Sequence, residues 1–213
     1  KKKTVTQSLK EDVLSSNLNA NDISLTSNKD TKITGSNLTA KDSIAIKADS
    51  IDLTPTAFSN AQTSQTTKSS FGGLKKSLDI NSLSRENLQG SSIATNNGNI
   101  NLNANNDISI ISSNINSASA LNLNALNTIS ILAAKEQSKE VNIHKKSSFN
   151  PLGILTYVGT LGLGGGEIYK SSLNEKGLSD GIAKLSNITA VGTINLNAND
   201  ALITANLSSN DDI

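Results

Sequence analysis

Cysteine, methionine and tryptophan are absent from the 213 residues, and aromatic residues make up only 2% of them. Without cysteine there is neither a disulfide framework nor a thiolate metal site, so the redox compartment is not written in the chain. Without methionine, even at position 1, the chain reads as a piece of something longer, with no signal peptide or transmembrane helix to interpret. A net charge of +1 gives no electrostatic argument for nucleic acid, which is not expected as a partner. The three lysines that open the chain read as a solvated end, and residues 1–10 as a polar lead-in. Apolar residues, at 35%, are few for a globule. Polarity of that degree would predict disorder if the apolar residues were not strictly phased.

What the chain has is one phrase, repeated. Residues 99–110 read NINLNANNDISI, residues 120–131 ALNLNALNTISI and residues 193–204 TINLNANDALIT, with looser copies at 16–25 and 36–48. In the phrase Ile100, Leu102 and Ala104 alternate with Asn101, Asn103 and Asn105, the period of a strand with one buried and one wet face. A turn at Asn106 and Asp107 follows, and Ile108 and Ile110 restart the alternation. The same apolar pair returns at Ile129 and Ile131, about 21 residues on, too soon for a crossover helix. Each copy therefore reads as one coil. Coils stacked as parallel strands roughly 4.8 Å apart put Leu102 over Leu123 inside and Asn101 beside Asn122 outside. A β-sandwich also has short alternating strands, but it does not need the same residues at the same phase of every unit. The expected fold is all-β, a parallel β-helix (solenoid) of about 20-residue coils with two long inserts.

Taken in order, the coils fall at about 12–54, 91–134 and 186–213, a single β-helix segment over 1–213, with inserts at about 55–90 and 135–185. Gly35 and Asn37 stand where a tight bend between strands wants them. Pro55 stops the pattern, since proline cannot donate to a ladder. In the first insert Leu74, Leu78 and Leu88, interleaved with Lys75, Lys76, Arg85 and Glu86, are consistent with a short amphipathic helix. The 36–48 phrase aligns on 113–125 at a shift of 77, and Lys68-Ser69-Ser70-Phe71 aligns on Lys146-Ser147-Ser148-Phe149 at a shift of 78. The module is thus two coils and one insert, and such insertions map to one face or corner of the stack.

These residues, the GSNLTA and INLNA phrases, the paired coils and the Ser-Phe-Gly-rich opening of the first insert, resemble the haemagglutinin repeats of the filamentous haemagglutinin and contact-dependent growth inhibition exoproteins. Those are the large secreted partners of two-partner secretion, and the resemblance covers essentially the whole chain. It implies a filamentous right-handed β-helix at the surface of a Gram-negative cell, exported through an outer-membrane transporter. It further implies a receptor on a host or target cell and, in the growth-inhibition branch, passage of a C-terminal toxin. Neither a secretion domain nor a toxin domain is recognisable in these residues.

Parallel β-helices also carry polysaccharide lyases and hydrolases, and a carbohydrate-active enzyme is the alternative reading. Such enzymes cluster carboxylates, often with Lys, Arg or calcium, on one exposed face. Here Asp22, Asp42, Asp107 and Asp200 instead fall at the turn after the phrase, where Asn127 serves in the remaining copy. Tandem calcium nonapeptides are absent, and Gly164-Gly165-Gly166 lacks the Lys-Ser or Lys-Thr of a phosphate loop. His144, the single histidine, reads as a solvated insert residue. No catalytic, metal or cofactor site is expected. The sequons at Asn37, Asn187 and Asn206 read as bend asparagines. Outward Asn and Thr ladders could hydrogen-bond a glycan, but they are better read as a soluble surface that braces adjacent coils, since sugar-stacking aromatics are nearly missing. The one unusual stretch is 149–163, where Phe149, Leu152, Ile154, Leu155, Tyr157, Val158, Leu161 and Leu163 lie among glycines. It is too short for a spanning helix and long enough for a membrane-crossing strand, so these residues are candidates for outer-membrane lipid or partner contact, against packing on their own coils. Composition and phase lead us to expect a structural, non-enzymatic segment, and the resemblance implies that it is part of a secreted surface filament serving adhesion or toxin delivery.

Overall fold

The structure, a computed structural model, describes residues 1–70, 75–146 and 178–213. Every regular element among them is a β-strand. The chain divides into two compact units, one made of Asp12–Phe58, Leu88–Glu136 and Ile182–Ile213, the other of Lys1–Glu11, Ser59–Asn87 and Gln137–Gly181.

The first unit consists of parallel sheets curling around an axis. Its strands are β2 (Asn17–Thr26), β3 (Thr31–Thr34), β4 (Asn37–Ala48), β5 (Ile51–Thr54), β8 (Ser92–Thr95), β9 (Ile100–Ala104), β10 (Ile108–Ile111), β11 (Asn114–Ser117), β12 (Leu121–Ala125), β13 (Thr128–Leu132), β16 (Ser186–Ala190), β17 (Ile194–Asn197), β18 (Asp200–Ile203) and β19 (Ala205–Ser209). One five-stranded sheet, in the order β18-β13-β10-β5-β3, forms one face. The remaining strands form a larger sheet that bends at β4, where Asn37–Ala40 pair with β8 and Ile44–Ala48 with β9, and so supplies two further faces. One passage through the three faces makes a rung. In the first two rungs β2 and β4 turn the corner as continuous strands, whereas bends around Asn97, Ser119 and Gly192 break it in later ones.

The alternation of the repeated phrase sets what points inward. Leu102 lies opposite Leu123 and Asn101 opposite Asn122, in parallel register. The stacking extends through whole columns. Ile46, Leu102, Leu123 and Leu196 follow one another on the second face, and Leu53, Ile110, Ile131 and Ile203 on the third. On the first face Leu38, Ile93, Ile115 and Ile188 do the same. Most of these side chains are wholly withdrawn from water and belong to one apolar core. Each buried Ile or Leu contributes about 1.5–3 kcal/mol relative to leaving it exposed.

The corner between the third and first faces is where the inserts leave and return. Between the first and second rungs and between the third and fourth, where no insert intervenes, the chain turns tightly through a left-handed residue, Gly35 at φ 51° and Ser112 at φ 45°. Gly35 meets this demand without a Cβ clash, and its replacement would also crowd Thr56. A file of buried serines lines the same corner: Ser36 N–H donates to Ser91 Oγ (3.5 Å), Ser91 N–H to Ser113 Oγ (3.1 Å) and Ser113 N–H to Ser186 Oγ (3.2 Å). Ser91 Oγ in turn donates to the carbonyls of Ile33 and Thr54, and Ser186 Oγ to that of Leu132. Backbone groups that would otherwise be orphaned inside the corner are satisfied in this way. At the feet of the inserts Leu88 N–H donates to Glu136 Oε1 (3.1 Å), and Lys184 Nζ lies 3.6 Å from the same oxygen and donates to the Leu88 carbonyl.

The second unit is a five-stranded sheet in the order β1-β6-β7-β14-β15, formed by β1 (Lys2–Lys10), β6 (Thr56–Ser70), β7 (Lys75–Gln89), β14 (Ala134–Lys146) and β15 (Leu178–Lys184). β1 runs antiparallel to β6 over Lys2 to Lys10, and β14 antiparallel to β7 over Gln137 to Lys146. Two sequence readings are corrected here. Residues 1–10 are not a free lead-in but an edge strand. The first insert carries no helix over 75–89: Leu78 and Ile80 are buried on either side of Asp79 with a period of two, and pairing with β14 overrides the loose helical spacing of the leucines.

Candidate functional site

The eight residues singled out for lipid or partner contact, Phe149, Leu152, Ile154, Leu155, Tyr157, Val158, Leu161 and Leu163, lie outside the described residues, as do Leu74 and Gly164 to Gly166. The described part of the second unit nevertheless has a definite surface chemistry. Its buried apolar cluster is small, Leu78, Ile80 and Ile143 with Val141 against them. All of β1 is exposed. Strands built to cross a membrane carry one continuous apolar face, and β1 and β6, rich in Thr, Ser, Gln and Lys, have none.

On the face opposite Leu78 and Ile80 three strands meet in an ionic row. Asp79 on β7 takes a hydrogen bond from Nδ1 of His144 on β14, and Lys68 Nζ on β6 stands 3.8 Å from its other oxygen. His144 therefore has a partner that no local pattern announces, because the two lie 65 residues apart and meet only through the β7–β14 register. Among the described residues no group of three His, Cys, Asp or Glu side chains is placed to hold a metal. A shallow cavity of about 390 Å³ opens beside β1, β6 and β7, with Leu9, Asn60, Leu83 and the cations Lys10 and Arg85 in its lining. Asn60 Oδ1 is withdrawn from solvent and accepts no hydrogen bond from the described residues. Among the described residues of its lining there is no pair of carboxylates and no nucleophile beside a base.

The stacked rungs display the other recurrent surface. Asn122 Nδ2 donates to Asn101 Oδ1 (2.7 Å) and Asn195 Nδ2 to Asn122 Oδ1 (2.8 Å), one ladder running across three rungs. Asn124 donates to Asn103 (3.0 Å) beside it. On the first face Asn37 donates to Asn17 (2.8 Å), Asn187 to Asn114 (3.2 Å) and Asn206 to Asn187 (2.9 Å), the file being interrupted at Ser92. Asn37, Asn187 and Asn206 thus sit within β4, β16 and β19 rather than at bends, and the amide of each is engaged with an asparagine of the rung before. The carboxylates also work between rungs. Asp22 Oδ1 accepts from the N–H and Oγ of Ser43 (3.0 and 2.6 Å), Asp107 Oδ1 from Thr128 N–H (3.0 Å) and Asp49 Oδ1 from Asn105 Nδ2 (2.9 Å). Only part of the turn assignment holds: Asp107 lies in the turn, but Asp22 and Asp42 are inside β2 and β4, and Asp200 opens β18. In the first two rungs the strand continues past the phrase instead of breaking after it.

Parallel sheets curling around one axis, with like residues stacked in phase and inserts returning to one corner, define a β-repeat protein. The hemagglutinin repeat family matches the chain over residues 1–86 and again over 72–211, nearly its whole length, and the chain belongs to that family. It is a hemagglutinin repeat region of filamentous haemagglutinin-like exoproteins, a family of secreted bacterial proteins whose repeats are structural and not enzymatic. No curated protein and no solved structure matches it.

Proposed function

We propose that the chain is a load-carrying segment of a filament on the surface of a Gram-negative bacterium, serving adhesion or the delivery of a C-terminal toxin in contact-dependent inhibition. In this reading the parallel sheets form a right-handed β-helix of about 20-residue coils, exported by an outer-membrane transporter of two-partner secretion and presented to a receptor on a host or target cell. The observation that carries it is the engagement of the surface with itself. Asparagine amides and corner carboxylates are spent on neighbouring rungs, which suits a rod that must hold its register. It suits poorly a carbohydrate-active enzyme, which needs carboxylates free to meet a sugar. Contact chemistry falls to the inserts, whose apolar residues between Phe149 and Leu163 are the candidates for outer-membrane lipid or a partner chain, against packing on their own coils.

The test places Leu102→Asp with Leu123→Asp in the full-length exoprotein on its own cells. An unpaired charge in the dry interior breaks the local rungs, so antibody access to the distal region and attachment to target cells are both lost while the transporter still secretes the chain. Undiminished distal display and attachment would overturn the proposal.

A further inference from the structure

We infer that Asn97 is a site of spontaneous deamidation, a covalent modification that loosens the joint between the second and third rungs. Asparagine is among the commonest residues of this chain, yet Asn97 alone is followed by glycine. The reaction needs the next residue's amide nitrogen to reach the asparagine Cγ, so a bulky following side chain or an N–H held in a ladder opposes it. The asparagines of the ladders meet both obstacles: Asn101 precedes Leu102 and Asn122 precedes Leu123, each inside a paired strand. Asn97 meets neither. It lies in the exposed bend between β8 and β9, and the Gly98 N–H donates to no acceptor among the described residues, although the N–H groups just before it, of Asn96 and Asn97, are bonded to the carbonyls of Ala40 and Lys41 (3.1 and 2.9 Å).

The Gly98 nitrogen, losing its proton, bonds to Asn97 Cγ and the side-chain nitrogen leaves as ammonia, giving a five-membered succinimide. Water then opens either C–N bond of that ring, to aspartate or to isoaspartate at position 97. Both products damage this corner. Asn97 Nδ2 donates to Asp42 Oδ1 of the rung before (3.3 Å), and a carboxylate in its place removes the donor and sets two like charges face to face. Isoaspartate also adds a methylene to the main chain where there is no room. Gly98 packs so closely on the second rung that a Cβ there would stand 2.1 Å from the Asp42 carbonyl oxygen. Its own carbonyl accepts from Thr95 Oγ1 (2.7 Å) and Ser117 Oγ (3.2 Å), which carries the disturbance into the fourth rung.

The full chain is incubated at mildly alkaline pH and body temperature, and its peptides are mapped by mass spectrometry with enzymatic labelling of isoaspartate. The expected result is the mass gain of an amide becoming an acid, at Asn97 before any other asparagine, at a rate rising in proportion to hydroxide and with isoaspartate label at the same position. Asn97→Gln, which cannot close the five-membered ring, abolishes the early gain, and Asn97→Asp melts below Asn97→Gln. Equal rates at Asn97 and the ladder asparagines, or an intact Asn97 amide in aged protein, would overturn the assignment of the site. Coincident melting of Asn97→Asp and Asn97→Gln would overturn the loosened joint.

Discussion

Replacing Leu102 by alanine and, separately, Asn101 by alanine measures how the stack divides its stability between its inner and outer columns. Leu102 is 0% exposed and stands between Ile46 and Leu123. Removing its buried methyl groups forfeits their transfer from water and leaves a cavity that stiff sheets fill poorly, so a loss of about 2–5 kcal/mol is expected. Asn101 Oδ1 accepts one amide hydrogen bond, from Asn122, on a half-exposed surface. Its loss costs about 0.5–1.5 kcal/mol, with water as the alternative partner. The inner change should therefore outweigh the outer one even where the two ranges come closest. Urea unfolding followed by circular dichroism reads the difference, and because rungs contact mainly their neighbours the effect should be concentrated in the second to fourth rungs, as hydrogen exchange at β4, β9 and β12 would register. Equal destabilisation by the two substitutions, or a greater loss from Asn101→Ala, would refute the argument that the core columns dominate and the amide ladders only brace.

Excising residues 57–90 and rejoining the flanks with a short turn should leave the parallel sheets folded while freeing β1, which loses β6, and leaving β14, which loses β7, with β15 alone. Retained β-type circular dichroism with fast amide exchange over 2–10 is the expected result, and protected amides there would contradict it. For the apolar segment, Leu155→Asp together with Leu161→Asp should abolish liposome binding with little change in melting temperature if lipid is the partner, since a lipid-facing charge is costly in the membrane, about 2–4 kcal/mol for Lys or Arg at the midplane and less for Asp, and costs little in water. A lowered melting temperature in a chain that ignores liposomes would assign the segment to packing on its own rungs.

The stack was legible because its code is strictly local. A period of two within a phrase and an identical phase between phrases placed Leu102 on Leu123 and Asn101 on Asn122 without further help, and the glycine of GSNLTA marked a corner that needs a positive φ. The inserts were opaque because their pairing is not local. Leu74, Leu78 and Leu88 offered a helical spacing, and nothing nearby revealed that Asp79 would be opposed by His144 or Lys68. The same holds for β1, whose polar sequence reads as a loose end until β6, more than fifty residues away, supplies its partner. Ser112 hid its positive φ for another reason. A serine is tolerated there because its hydroxyl donates to the Lys184 carbonyl (2.7 Å), across an insert, and accepts from the Ala134 N–H (2.7 Å) at the end of the following rung.

The corner through which the inserts pass also sets an order of assembly. Asn101 and Asn122, in rungs joined by a tight corner, are separated by 21 residues, whereas Asn122 and Asn195, in rungs joined through an insert, are separated by 73. The contacts formed are nearly the same, but closing the longer loop costs roughly 1 kcal/mol more in chain entropy. Rungs three and four should therefore zip together before the fifth joins them, and rungs one and two before either meets the third. A chain emerging from a membrane pore in extended form would accumulate such pairs one after another, each waiting for its insert to clear before docking on the last.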